Sequence, residues 1–484
     1  MAAENSLLTT VLGTINDYLY GYVLVGLLVI VGIFFTVLMR GGQFTLMPDA
    51  LRALLRSRQA THGISSFQAF AVGIASRVGI GNIAGVALAL VYGGPGALFW
   101  MWIVALLGMA TSLAESALAQ TFKVRHRDGS YRGGPAYYME HGLGSKAMGR
   151  VFAVLFIFAV GLCVTMVQAN TVAEIFTATH GVPMWVTGVA LMVLVAPVVI
   201  GGVKSVARVT EWLAPAMALL YMIAVAVIVA MNITQVPGVF ADIFRGAFGL
   251  DPALGGIAGG VLATVLNGAR RGVFSNEAGL GTAANAAGTA TVAHPVSQGL
   301  IQSLGVFIDT ILICTTTGIA ILLAGPAVYT PGTDLAARGA VLTQEAVAAG
   351  LGAWTATPMA IIILIFAYST LLGIYSYTQV NIDYLSRKKD LHVVNGVIIT
   401  LAAGLGTIAS LKTVWALSDV ALGLIGILNL LAIIVLSPWV LAVVRDYRAQ
   451  RACGVEEPVF DEKARDSLPR LLPTDAWVSS TDKG

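Results

Sequence analysis

Charged residues are scarce in this sequence. Only 11% of its 484 residues are Asp, Glu, Lys or Arg, whereas soluble domains contain about 25%. Hydrophobic residues reach 57%, a composition typical of a chain that crosses a lipid bilayer many times. The net charge is only +3, so the sequence lacks the basic excess expected of a nucleic-acid-binding protein.

Residues that carry enzyme chemistry or hold metals are also sparse. Two of the three cysteines, Cys163 and Cys314, lie in apolar segments and Cys453 lies in a polar tail, which gives no disulfide framework. The six histidines show no metal-ligand spacing. The sequence contains no nucleophile–base arrangement and no P-loop. We therefore expect neither an enzyme nor an organic cofactor.

Eleven apolar windows are long enough to cross a membrane as helices. They lie near 17–39, 66–91, 96–121, 148–176, 184–201, 207–234, 256–286, 296–325, 357–386, 393–411 and 415–444. The predicted fold class is therefore an all-α polytopic membrane protein with 11 transmembrane helices. The first window is too long for a cleavable signal core, and we expect it to remain as a span.

Arginine and lysine orient these spans, because positively charged loops stay in the cytoplasm. Basic residues cluster in every second connection between the spans. The connections on the other side of the membrane hold only Arg245, Arg338 and Lys412. Residues 1–16 are thus predicted outside the cell, and 445–484 form a cytoplasmic, loosely ordered polar tail. The stretch GGQFTLMPDALRALLRSRQ, between the first two spans, reads as a basic amphipathic helix on the inner membrane surface.

The second span carries an unusual string, SRVGIGNIAG (76–85). Gly79 and Gly81 each weaken a helix by roughly 1 kcal/mol relative to alanine, and Arg77 adds about 2.5–3.5 kcal/mol to the cost of insertion. Non-helical backbone at membrane depth is tolerated where it is buried in protein or lines a cavity. The string therefore predicts a helix interrupted at a functional site. Close packing of small residues is an alternative, but it does not explain Arg77 or Asn82.

The seventh span contains a second such string, TVLNGARRGVFSNEAGLGTAAN (264–285). Two interrupted segments at corresponding positions of inverted halves are typical of alternating-access transporters. We predict repeats of five helices over 66–234 and 256–444, each beginning with a broken helix, and an extra helix with the amphipathic segment over 17–65. Helix N-termini at the breaks suit a carboxylate, and freed carbonyls suit Na⁺.

Several stretches resemble the sodium:alanine symporter family, also called alanine or glycine:cation symporters. They are RVGIGNIAGVALAL (77–90), GGPGALFWMWIVALLG (93–108), VQAN (167–170), GVFSNEAGLGTA (272–283) and FAYSTLLG (366–373). The resemblance covers roughly residues 15–450. It implies Na⁺- or H⁺-coupled uptake of small neutral amino acids on the leucine-transporter-type 5+5 inverted-repeat fold.

The resemblance also implies two sets of binding residues. Those for the substrate are the backbone of Gly79, Ile80, Gly81 and Asn82, completed by Gln168, Phe274 and Asn276. Those for Na⁺ are the carbonyls of Ala75 and Val78 with the hydroxyls of Ser369 and Thr370. Such hard oxygens suit a small cation, although both hydroxyls could instead bond back into their own helix.

Two departures from the family widen the choice of substrate. Many members have Thr or Ser where this chain has Ile80, and many have Trp where it has Ile374. Glycine, alanine of either hand and serine all remain candidates. Asp309 on the eighth span is a candidate for proton coupling, with helix capping or pairing as the alternative.

Arg77 and Glu277 suggest a separate hypothesis. Each lies at one of the two breaks, where an unpaired charge is expensive. We expect them to pair, or each to bond exposed backbone, and so to tie the breaks together. In the alternative, Arg77 extends towards the inner membrane surface.

The leading prediction is an Na⁺-coupled symporter whose partners are a small neutral amino acid, Na⁺ and the bilayer of the cell membrane. The alternative is an H⁺-coupled symporter, or an exchanger of a different small amino acid. A channel would show rings of like charge or repeated filter carbonyls, and an intramembrane enzyme would need a catalytic pair at one depth. The sequence indicates neither.

Overall fold

The computed structural model describes residues 7–56, 63–250, 260–330 and 339–477, and these are almost entirely helical. One short antiparallel hairpin pairs β1 (Val124–Arg125) with β2 (Tyr131–Arg132). The helices of five residues or more are α1 (Val11–Leu38), α2 (Met47–Arg56), α3 (Ser66–Arg77), α4 (Gly81–Gly93), α5 (Ala97–Thr121), α6 (Pro135–His141), α7 (Lys146–His180), α8 (Met184–Ile200), α9 (Gly202–Met231), α10 (Val236–Ala247), α11 (Gly260–Asn276), α12 (Thr282–Ala287), α13 (Pro295–Leu323), α14 (Gly339–Leu351), α15 (Ala356–Leu385), α16 (His392–Ile408), α17 (Leu411–Val435), α18 (Ser437–Ala452) and α19 (Glu462–Asp466).

These helices confirm an all-α, multi-pass membrane fold. Within the described ranges, α1, α5, α7, α9, α13, α15 and α17 are long and apolar enough to cross a bilayer, and α3 with α4 forms one further, bent span. Helices α8 and α16 are apolar but shorter. The seventh predicted span corresponds to α11 and α12, but its first residues, 256–259, lie outside the described residues. The number eleven therefore stays a prediction.

Corresponding helices of the two predicted halves pack against each other. The third and eighth predicted spans are in contact through α5 and α13, and the fifth and tenth through α8 and α16. The fourth and ninth do the same through α7 and α15. Such contacts are those expected of two inverted repeats, and the residues of both breaks are buried. The repeat bounds 66–234 and 256–444 stay a prediction.

The end of the chain differs from the sequence prediction. The eleventh window, 415–444, is two helices, because α17 stops at Val435 and Pro438 opens α18, where its missing N–H costs nothing. The described part of the tail, up to residue 477, is packed rather than loose. Phe460 N–H donates to Ala293 O over 2.9 Å, and Trp477 Nε1 donates to Gln120 O over 3.0 Å. Phe460 and Trp477 thus hold the described part of this polar segment against the bundle.

Candidate functional site

The second predicted span is interrupted between α3 and α4. Helix α3 begins with a capping box, in which Ser65 and Gln68 bond each other's backbone N–H groups. Its last helical hydrogen bond runs from Val78 N–H to Ile74 O. At Val78 ψ becomes 82°, outside the helical range, and the chain turns by 47° into α4. The predicted break is therefore present.

Side-chain amides bond the backbone N–H groups that this break exposes. Gly79 N–H donates to Asn82 Oδ1 over 2.9 Å, and Ile80 N–H donates to Gln168 Oε1 over 3.2 Å. Gln168 extends from α7, so the fourth predicted span closes one side of the break. The two amide oxygens accept from the N–H groups at the start of a half-helix, which are the donors that an anionic group binds.

Two glycines let neighbouring helices approach the break closely. A Cβ atom at Gly79 would overlap Thr370 Oγ1 on α15, and one at Gly81 would lie 3.0 Å from Ser275 Cα and 3.2 Å from the Phe274 ring on α11. A larger residue at either position would push these helices apart. The glycines thus bring α4, α11 and α15 together around one point.

The second break separates α11 from α12. Glu277, Gly279 and Gly281 all have positive φ, at 59°, 82° and 75°. Such a conformation is strained for Glu277, since it has a side chain. Asn276 bonds within this break and to α13: its Oδ1 accepts from Ala278 N–H over 3.0 Å, and its Nδ2 donates to Thr310 Oγ1 over 3.2 Å.

The residues predicted to hold a cation lie where α15 crosses the end of α3. The Ala75 carbonyl accepts from Ser369 Oγ over 3.2 Å and from Thr370 Oγ1 over 3.1 Å. Both hydroxyls also reach Phe366 O over 3.0 Å, so the predicted bond back into the helix is present as well. These residues and Val78 are all buried. A carbonyl and two hydroxyl oxygens are thus gathered at one buried point, and hard oxygens of this kind are the ligands that a small cation prefers.

Phe274 connects the two breaks to a cavity on the predicted outer side. Its ring packs on Trp415 with a centroid separation of 4.6 Å. Arg271 forms an ion pair with Asp419, and its guanidinium lies 4.6 Å from the centre of the same Trp415 ring. Trp415, Arg271 and Asp419 form part of the wall of a cavity of about 530 Å³, together with Arg270.

The expected pair of Arg77 and Glu277 is not formed. Arg77 donates to Gln302 O over 3.0 Å and to Ser112 Oγ over 3.3 Å, so its guanidinium faces α13 and α5. Glu277 accepts instead from Ser76 Oγ over 2.8 Å. The breaks are therefore joined through Ser76, the neighbour of Arg77, because the arginine bonds Gln302 and Ser112 instead. Arg77 bonds a backbone carbonyl, but Glu277 accepts from the hydroxyls of Ser76 and Thr282, so the second form of the hypothesis, in which each charge bonds exposed backbone, is not fulfilled for Glu277.

Asp309 was predicted only as a candidate for proton coupling or for helix capping or pairing, and its contacts with the two breaks were not predicted. Asp309 on α13 accepts from Asn82 Nδ2 over 2.7 Å and from Ser275 Oγ over 2.8 Å, so it touches both broken helices. The pair of Arg271 with Asp419 was not predicted either. One signal was available for that pair: a charge inside an apolar span needs a partner, and Asp419 is the acidic residue of the eleventh span.

Known proteins match this chain over most of its length. Residues 5–462 match the sodium:alanine symporter family. The probable sodium/glutamine symporter GlnT of Bacillus subtilis is 42% identical over 99% of this chain and 98% of its own. The sodium/alanine symporter AgcS of Methanococcus maripaludis is 38% identical over 88% of this chain and 94% of its own.

A solved structure supports the fold. The crystal structure of MhsT in complex with L-phenylalanine superposes with a TM-score of 0.57 at 14% identity, covering 80% of this chain and 99% of that one. This is the leucine-transporter fold, and both fold and family are those of transporters rather than enzymes. The chain is a multi-pass membrane protein, and it belongs to the sodium:alanine symporter family.

Proposed function

We propose that the chain couples the entry of Na⁺ to the uptake of a small neutral amino acid by alternating access. One observation carries the proposal: the Ala75 carbonyl meets the hydroxyls of Ser369 and Thr370, a few residues before the exposed N–H groups of Gly79 and Ile80. Oxygen ligands for a cation and N–H donors for a carboxylate thus share one break. Membership of the family supports the same reading.

In the proposed substrate site, one hydrogen-bond acceptor of the exposed backbone N–H groups is exchanged for another. The substrate carboxylate would replace the amide oxygens of Asn82 and Gln168 at the N–H groups of Gly79 and Ile80. The backbone of Gly81 and Asn82 would complete this cradle, and Phe274 with Asn276 would border the side chain. In the proposed cation site, Val78 adds its carbonyl to the oxygens of Ala75, Ser369 and Thr370.

Alanine, glycine and serine are the proposed substrates, because the site is tightly packed. Gly79 and Gly81 leave no room for even one extra carbon. Glutamine is the second candidate, since the relative named for glutamine matches 99% of this chain. H⁺ in place of Na⁺ is the alternative coupling ion. In the proposed topology the N-terminus lies outside, 66–234 and 256–444 are the inverted repeats, and the tail from 445 is cytoplasmic.

Uptake into proteoliposomes tests this proposal. Labelled alanine, glycine, serine and glutamine are offered one at a time with an Na⁺ gradient, and with choline replacing Na⁺ outside. We expect at least one of them to accumulate only with Na⁺. One Na⁺ crossing 100 mV supplies about 2.3 kcal/mol, or about 50-fold accumulation. Equal uptake with choline would contradict Na⁺ coupling, and uptake driven by acid outside would favour the proton.

A further inference from the structure

The last part of the chain folds back over one end of the helix bundle. It continues from α18 to Trp477, and Phe460, Ala464 and Leu468 on the way are all buried. The rings of Phe460 and Trp477 pack edge to face, with a centroid separation of 5.1 Å. These two residues therefore form one aromatic cluster, which attaches the tail to the helices beneath it. We call residues 453–477 the strap.

The strap bonds both predicted repeats. Trp477 Nε1 donates to the carbonyl of Gln120, at the end of α5 in the first repeat, over 3.0 Å. Phe460 N–H donates to the carbonyl of Ala293, just before α13 in the second repeat, over 2.9 Å. The Phe460 ring also packs on His294, with a centroid separation of 5.5 Å. One short segment thus spans the boundary between the two halves.

Beneath the strap, α5 holds the end of the second broken helix. Gln120 Nε2 donates to the carbonyl of Ala287, the last residue of α12, and to that of Ala290. Lys123 Nζ donates to the Ala290 carbonyl as well, over 3.3 Å. The Trp477 ring covers this ammonium group, with its centre 4.1 Å away. The strap therefore lies directly over the contacts that hold α12 in place.

The ends of α3 and α12 are also joined to each other. Thr291 N–H, shortly after α12, donates to the carbonyl of Ile64, just before α3, over 3.0 Å, and the two helices pack together. Helix α3 belongs to the first predicted repeat and α12 to the second. In alternating access, one repeat moves against the other around a fixed site. These ends must therefore separate before a substrate can leave on this side, the cytoplasmic one in the proposed topology.

We propose that the strap is an autoinhibitory device, which holds this end of the molecule closed and slows its opening. The inference rests on the proposed function, because it requires the two repeats to move. Phe460 is bonded to the second repeat and Trp477 to the first, so at least one of the two attachments breaks when the repeats separate. The loss of one such hydrogen bond changes the equilibrium constant for opening about fivefold.

Labelling of a buried cysteine measures how often this end opens. Ala283 on α12 is fully buried, so a cysteine there reacts with a membrane-impermeant maleimide only while the end is open. The reporter Ala283→Cys is combined with Cys453→Ser, because Cys453 is exposed whereas Cys163 and Cys314 are buried. Trp477→Phe keeps an aromatic ring and loses the Nε1–H donor. We expect it to raise the labelling rate of the purified protein about fivefold.

Leu471→Ala is the matched control, because Leu471 is an apolar residue of the same segment but is 91% exposed. Its labelling rate should equal that of the chain with an unmodified strap. Phe460→Ala removes the ring that lies between His294 and Trp477, and it should raise the rate at least as much as Trp477→Phe. Equal labelling of all these strap variants would overturn the inference, whether or not the chain transports.

Uptake separates an inhibitory strap from a structural brace. If the strap slows opening, the initial rate of Na⁺-driven uptake into proteoliposomes should rise several-fold in Trp477→Phe. The final accumulation should not change, because it depends only on the driving force. Faster labelling with slower uptake would show that the strap supports the fold, and would overturn the inference. Absence of Na⁺-dependent uptake by the unmodified chain would instead contradict the proposed function, and labelling alone would then decide whether the strap holds this end closed.

Discussion

Glu277 accepts a hydrogen bond of 2.8 Å from Ser76 Oγ, and this bond joins the two broken helices directly. The other carboxylate oxygen accepts from Thr282 Oγ1 over 2.9 Å, at the first residue of α12. Glu277 also has a φ of 59°, and a strained conformation of this kind persists only where its surroundings hold it. The two hydroxyls hold the glutamate in place and therefore fix how the breaks face each other.

Ser76→Ala removes the bond between the breaks. A hydrogen bond to a charged group contributes about 1.5–3 kcal/mol, so we expect a lower melting temperature and an uptake rate reduced about 10- to 100-fold. Ser116→Ala is the control, because Ser116 is also fully buried and its hydroxyl has no partner within the described residues. Thermal unfolding in detergent and uptake are measured on both. Equal effects of the two substitutions would argue against the link.

Gly79 and Gly85 form a matched pair on the second predicted span. A Cβ at Gly79 would overlap Thr370 Oγ1 and lie 3.3 Å from Gln168 Oε1, whereas one at Gly85 meets nothing within 4 Å. We expect Gly79→Ala to abolish uptake, because the new methyl group displaces the predicted cation ligand. Gly85→Ala should transport normally and gain up to about 1 kcal/mol of stability. Uptake assays on purified, monodisperse protein check this, and transport by Gly79→Ala would contradict the assignment.

Thr370→Ala removes one oxygen from the proposed cation site. We expect the half-saturating Na⁺ concentration to rise about tenfold, since one hydrogen-bonding or ligating group contributes about 1.4 kcal/mol. Thr378→Ala on the same helix is the control: its hydroxyl bonds Ile374 O and Asn395 Oδ1, away from the site. A similar shift of Na⁺ dependence in both variants would show that α15 is merely perturbed.

The positions of the two breaks could be predicted from the sequence, but the hydrogen-bond partners of their side chains could not. Glycines, an arginine and an asparagine inside apolar windows conflict with an uninterrupted lipid-facing helix, and this local conflict locates both breaks. The direction of Arg77 depends on which face of α3 meets α5 and α13, which no string of residues specifies. The same holds for Asp309, whose partners come from two segments far away in the chain. The packed tail depends on Phe460 and Trp477, two aromatic residues in a segment that otherwise looks polar.

Cys453 reports the orientation of the chain without any substitution. It is exposed just after α18, whereas Cys163 and Cys314 are buried. If the tail is cytoplasmic, as the distribution of arginine and lysine predicts, a membrane-impermeant maleimide should label inverted vesicles and spare intact cells. Cys453→Ser should abolish the signal. Labelling of intact cells that Cys453→Ser removes would reverse the proposed topology.

Lys123, which Trp477 of the tail covers, should make the free energy of unfolding depend on pH. Its Nζ lies just beyond α5, donates to Gln120 Oε1 over 2.8 Å and sits 4.1 Å from the centre of the Trp477 ring. Burial lowers the pKa of Lys123 from 10.5 to about 7. Between pH 7 and 10.5 the unfolded chain therefore binds a proton that the folded chain has lost. The free energy of unfolding should then rise with pH in this window, by up to about 1.4 kcal/mol per unit, and be flat below it.

Two variants separate this contribution from other titrating groups. Lys123→Met should remove the rise in melting temperature between pH 7 and 9, because no proton is left to bind at this position. Trp477→Ala uncovers the ammonium group and brings its pKa back towards 10.5, so it should flatten the same slope while leaving the lysine in place. Thermal unfolding in detergent at pH 7, 8 and 9 measures both. A slope that survives in Lys123→Met would show that another group controls it, and an unchanged slope in Trp477→Ala would show that Trp477 does not lower the pKa of the lysine.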